Sequence, residues 1–166
     1  MLALTRAYPP VDIQTIIQRA AVPIVERALP DGVRGTIGHI AGQRCIILNL
    51  RWRFSSDQEK RWVLSEELGH VILGHQLVES TQPGAAQIGL REERRTIYEG
   101  EARAFAAELL MPLDEVRHRW FASRRNRFGP VREASQDELV RRLAEEFRVT
   151  PAAMRIRLAD LRLIAK

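Results

Sequence analysis

The stretch from Ser56 to Gly74 constrains this chain more than any other. Ser56, followed three residues later by Glu59, forms a capping box, the start signal of a helix. Trp62, Leu64, Leu68, Val71 and Ile72 then carry an apolar helical pattern to roughly Gly74. The same stretch holds Ser65-Glu66-Glu67-Leu68-Gly69-His70. Residues four apart share a helix face, with about 5–6 Å between Cβ atoms. Glu66 and His70 therefore point the same way, and Glu67 sits one position round. In an H-E-x-x-H helix that geometry lets two histidines grip zinc while the glutamate takes a proton from water. Here Glu66 stands where the first histidine would be. Taken alone, so short a motif also reads as a solvated Glu66–His70 pair.

The rest of the sequence predicts an α+β chain. A first helix begins near Val11 and is interrupted at Pro23. Val33–Ile40 and Arg44–Leu50 are strands joined by a turn at Ala41-Gly42-Gln43, making a hairpin. Gln76–Gly89, with Pro83-Gly84, reads as a loop, and a helix over about Arg95–Met111 ends at Pro112. A short helix, Leu113 to about Phe121, leads into an arginine-rich segment. Ser135 with Glu138 caps a helix to Phe147, and Thr150-Pro151 opens a last one over Ala152–Ile164.

With 166 residues, 45% of them hydrophobic, the chain can bury a core as one ordinary domain with a small helical appendage. Its apolar runs are too short to span a bilayer, and no secretory signal is evident at the start, so the expected location is the cytoplasm. Cys45 is the only cysteine, which excludes an internal disulfide and a multi-cysteine zinc site. Its apolar neighbours point to a buried, inert thiol.

Downstream stands Tyr98-Glu99-Gly100-Glu101-Ala102-Arg103-Ala104-Phe105-Ala106-Ala107-Glu108-Leu109-Leu110-Met111-Pro112. With the Arg61–His75 segment, this resembles the ImmA/IrrE family, whose members show F-T-x-A-H-E-L-G-H followed by E-x-x-A-N/D-x-F-A-x-x-L-L-M-P. The likeness extends to Ile46–Asn49 and to Arg148–Leu158, covering nearly the whole chain. The resemblance implies a zincin-like α+β core with a small sheet packed on the motif helices over residues 1–112. A helical, helix-turn-helix-like extension follows over 113–166. It also implies a zinc-dependent or other divalent-metal endopeptidase whose ligands are Glu66, His70 and Glu99, with Glu67 as general base, and whose substrate is a helix-turn-helix repressor.

Two positions depart from the family pattern. Glu66 replaces the first ligand histidine, and a second carboxylate would neutralise the dication and make its water less acidic. The harder donor set also tilts selectivity from zinc toward manganese or iron(II). Arg103 stands where the family has Asn or Asp, four residues after Glu99 and on the same helix face. Its guanidinium is placed to reach Glu99 and Glu66 and to supply the positive charge in a metal's stead. On that reading the site is a silent one that binds a repressor or another protein without cutting it; in the alternative, Arg103 points into solvent and a metal remains.

A third class of function comes from charge. The balance of 26 Lys+Arg against 21 Asp+Glu gives +5, and residues 117–132 hold arginines but no acid. In a DNA-reading helix-turn-helix, Arg155 and Arg157 would face bases, and Arg124, Arg125 and Arg127 would be available to phosphates. Against this, Arg148 occupies a turn position that usually needs glycine, and Glu145, Glu146 and Asp160 dilute the charge. Weak nucleic-acid contact is the most this pattern suggests. His75, five residues after His70, is expected to pack at the helix end off the motif face, and Glu101 to be solvated.

Overall fold

The computed structural model of the chain describes residues 9–75, 85–124 and 135–165, with the backbone alone for 85–94 and 124. It is an α+β protein, with three strands and six helices among those residues. They divide into two compact units, Asp12–Ala106 and Ala107 onward, the second also taking residues 9–11. The division falls shortly before Pro112, because the last turn of the long helix belongs with the elements that follow it.

The first unit begins with α1 (Ile13–Arg19), capped by Asp12, whose carboxylate accepts from the Thr15 N–H at 3.1 Å. Three strands follow, β1 (Ile24–Arg27), β2 (Gly35–Ile40) and β3 (Gln43–Asn49), in the spatial order β1-β3-β2. β2 and β3 form the antiparallel hairpin, with Ile37 opposite Ile46. The turn needs positive φ at two residues, and Ala41 (49°) and Gly42 (80°) supply it. β1 was not expected from the sequence. It pairs in parallel with β3, with Ile24 opposite Ile46. Asn49 secures this crossover: its buried amide donates to the Val33 carbonyl at 2.7 Å and accepts from the Leu29 and Arg51 N–H groups.

α2 (Asp57–Ile72) packs across β2 and β3 through Val63, Leu64 and Leu68, all buried. Ser56 Oγ accepts from the Glu59 N–H at 3.2 Å, while the Glu59 carboxylate reaches the Ser55 N–H at 2.7 Å. α3 (Ala85–Leu110) starts earlier than the proposed loop allowed. Residues 85–89 are already helical, since Pro83-Gly84 punctuates the chain ahead of them. Residues 76–84 of that loop lie outside the described residues. α2 and α3 cross closely at Gly69, where a Cβ would stand 3.3 Å from the Ala102 Cα and 3.1 Å from the Phe105 ring.

The second unit contains α4 (Leu113–Arg124), α5 (Gln136–Phe147) and α6 (Pro151–Asp160). α5 and α6 pack through Leu139, Val140, Leu143, Phe147, Met154 and Leu158. Ser135 and Thr150 cap them, each hydroxyl accepting from an N–H three residues on at 3.2 Å. Arg148, at the turn, is left-handed with φ 51°. A helix-turn-helix outline is present although the turn lacks glycine. No helix among the described residues is long and apolar enough to cross a membrane.

Candidate metal and catalytic site

The crossing at Gly69 lets two helices present their charged faces to one another. From α2 come Glu66, Glu67 and His70; from α3 come Glu99, Glu101 and Arg103. His70 Nε2 lies 3.9 Å from Glu99 Oε1. Arg103 reaches two carboxylates, with Nε 3.6 Å from Glu66 Oε1 and one terminal nitrogen 3.7 Å from Glu99 Oε2. Both spacings exceed the 2.7–3.2 Å of an N–H···O hydrogen bond. The Arg103 side chain is 64% exposed, so these are loose, water-screened contacts.

Glu67 is the most deeply placed acid of the cluster. β2 runs against it: a Cβ on Gly35 would come within 3.2 Å of Glu67 Oε1 and 2.9 Å of Val63 Cγ1. Burial, reinforced by the charges of Glu66 and Glu99, pushes the Glu67 carboxyl up to about 8. Burial also raises Glu66, against the opposing pull of a Trp62 hydrogen bond and of Arg34 and Arg103. His70 moves the other way. Burial lowers its pKa despite Glu99, so its imidazole is neutral at pH 7 and its approach to Glu99 is no ion pair.

His75 packs at the end of α2 as expected, but over His70 rather than off the motif face, and Glu101, exposed as expected, pairs with it. α2 closes with Leu73 as C-cap and Gly74 left-handed at φ 74°. The Gly74 N–H bonds the Val71 carbonyl, and the His75 N–H bonds the His70 carbonyl at 3.0 Å. This is a Schellman turn, and it folds His75 back over His70 rather than off the face. The two rings meet at Nδ1···Nδ1, 3.0 Å apart, and His75 Nε2 lies 2.9 Å from Glu101 Oε2. His75 is 4% exposed and stacks on Tyr98, with ring centroids 4.3 Å apart. The signal for this was the Gly74-His75 pair at the helix end, where glycine at the cap decides the next residue's direction.

Among the described residues, no three His, Cys, Asp or Glu side chains close on one point as a metal ion would need. The donor chemistry nevertheless suits a hard divalent cation, with one neutral imidazole and two carboxylates, Glu66 and Glu99, facing it across the helix pair. Their convergence and the Arg103 contacts compete for the same carboxylates.

The arginines of the second unit are differently placed. Arg157 is 11% exposed; its Nε donates to the Met111 carbonyl at 3.0 Å and its terminal nitrogen pairs with Glu108. Arg155 pairs with Asp137. Arg124 ends α4 with its side chain outside the described residues, as Arg125 and Arg127 are entirely.

Comparison with known proteins agrees with this architecture. A transcriptional regulator from Mycobacterium tuberculosis has a similar fold, with a TM-score of 0.53 at 16% identity. The likeness covers 89% of this chain but 39% of that one, so this chain spans well under half the regulator's length. A comparison with curated proteins gives no match. Residues 20–159 match the peptidase family described as the IrrE N-terminal-like domain, and the chain belongs to that family.

Proposed function

We propose that the chain regulates transcription as a metal-dependent endopeptidase that cuts a helix-turn-helix repressor, with activity weakened by the Glu66 position. One observation carries this reading. Glu67, a deeply placed carboxyl group with raised proton affinity, lies against β2, which among the described residues is an edge strand of its sheet. An extended peptide added to that edge would pass the carboxylate, its main chain held by strand hydrogen bonds. Without a cation Glu67 holds its proton at neutral pH; beside a bound cation it would ionise, accept a proton from the attacking water and return it to the departing amine nitrogen. A divalent cation, when held by Glu66, His70 and Glu99, supplies Lewis acidity for a polarised carbonyl. Family membership and the regulator-like fold support a regulatory role.

The test is cleavage of a co-expressed helix-turn-helix repressor, with manganese and zinc supplied in turn. Glu67→Gln is expected to abolish the product; undiminished cleavage removes Glu67 from the mechanism.

A second reading rests on Arg103. Its contacts with Glu66 and Glu99 offer a permanent cation, leaving a groove that grips the repressor without cutting it. Metal content of protein purified without chelator separates the two: near-stoichiometric metal supports the peptidase, and none supports the silent binder. In the silent form Arg103→Ala lowers stability of the metal-free protein, because the carboxylates lose their counter-charge.

A further inference from the structure

We infer that Glu101 and His75 are positioning residues that set the tautomer of His70, directing its Nε2 lone pair into the carboxylate pocket. The inference deepens the metal-dependent reading and takes from it only the identity of the ligand.

The argument runs along one line of hydrogen bonds. A carboxylate only accepts, so the 2.9 Å contact to Glu101 Oε2 places a hydrogen on His75 Nε2. For a His75 ring that carries one hydrogen, the other nitrogen is then an acceptor. A ring carrying two would instead donate to His70 Nδ1 and leave the hydrogen of His70 on Nε2, the outcome that overturns the inference. His75 Nδ1 faces His70 Nδ1 at 3.0 Å, and two bare lone pairs cannot meet at that distance. The hydrogen between them therefore sits on His70 Nδ1. That leaves His70 Nε2 without a hydrogen, on the side of Glu99. A histidine ligates metal only through such a bare nitrogen, and the hydrogen bond at its other nitrogen decides which one is bare.

The relay is built rather than incidental. Gly74 turns the backbone so that His75 returns over His70, and Tyr98 stacks on the His75 ring. Glu101, three residues after Tyr98 on α3, closes the line from the solvent side with its side chain 54% exposed. Together they hold a buried ring with both nitrogens engaged. Such a partner is worth about 10–100-fold in metal affinity where it has been removed from other sites.

The direct test is the nitrogen-15 NMR signature of the imidazoles in the full, metal-free chain at neutral pH. His70 is expected as the Nδ1–H form and His75 as the Nε2–H form. In His75→Phe, which keeps an aromatic ring on Tyr98 but offers no acceptor, His70 moves toward the Nε2–H form. Glu101→Gln, a milder change at a half-exposed position, gives a mixture and guards against a His75 variant that fails to fold. Zinc and manganese affinities, read by chelator competition, fall about 10–100-fold in His75→Phe. A wild-type His70 bearing its hydrogen on Nε2 overturns the inference, as does a His70 form unmoved by both variants. If the wild-type tautomers are as stated and no metal binds, the peptidase reading fails while the relay stands.

Discussion

At the scale of single residues, the site is a problem of too much negative charge in too little water. Glu67 shows it most clearly, with its carboxyl pushed from 4.5 to about 8 by burial and by Glu66 and Glu99. A raised carboxyl means the folded protein keeps a proton that the unfolded chain has released, so stability falls as pH rises toward 8. His70, lowered from 6.5, works in the opposite sense, but only below about pH 6.5. Between about pH 6.5 and 8 His70 no longer opposes the raised carboxyls, and Glu66, also raised by burial, acts in the same sense as Glu67. Metal-free protein is expected to lose stability across that window, at no more than about 1.4 kcal/mol per pH unit for one group. Urea midpoints in chelator check it: the wild type declines, Glu67→Gln declines much less, and a flat wild-type curve contradicts the electrostatics. Helix spacing places Glu66 and His70 on one face, with Glu67 beside them, whereas Glu99 is named only by the family likeness; that these side chains lie near one another is what the structure adds. The pairing of His75 with Glu101 was not legible in the sequence, because glycine at position 74 signals a left-handed turn without saying that the next ring returns over His70.

At the scale of elements, what was legible were the pieces whose signals are local. The capping residues Ser56, Ser135 and Thr150 all accept the hydrogen bonds that their sequence contexts imply. β1 escaped because it is four residues long, follows Pro23, is mostly exposed, and owes its existence to parallel pairing with a strand twenty-two residues further on in register, Ile24 opposite Ile46. The early start of α3 escaped because Pro83-Gly84 marks a break without saying how soon the next helix begins. The end of α2 offers a sharp element-level prediction. Gly74 has open space around a would-be Cβ, so Gly74→Ala creates no clash. It does force alanine into the left-handed region, which costs about 1–2 kcal/mol. Asparagine tolerates that region better, and Gly74→Asn is expected to cost clearly less. Chemical denaturation of the two variants measures the difference. Equal loss in both would mean that the turn is not held as described, and with it the placement of His75.

At the scale of the whole molecule, a net charge of +5 permits a nucleic-acid partner, and a helix-turn-helix reading of α5 and α6 would make α6 the reader. The pairing of the arginines argues otherwise. Arg119 and Arg142 both engage Glu146, Arg155 engages Asp137, and Arg157 is held by Glu108 and the Met111 carbonyl. Arg157 is thus a strut between α6 and the end of α3, with its guanidinium turned into its own unit rather than outward. Removing it leaves the Met111 carbonyl without that donor and strips apolar cover from the packed stem, so Arg157→Ala is expected to cost about 1–3 kcal/mol. Arg155→Ala, which breaks an exposed pair, is expected to cost about 0–1 kcal/mol. If α6 instead reads DNA, each arginine would contribute to the salt dependence of binding, and losing one would lower the log–log slope by about one. Denaturation midpoints and salt-titrated binding to duplex DNA, made on the same two variants, separate a strut from a reader. A large stability loss for Arg157→Ala with an unchanged salt slope assigns α6 to the fold and removes it as a DNA reader.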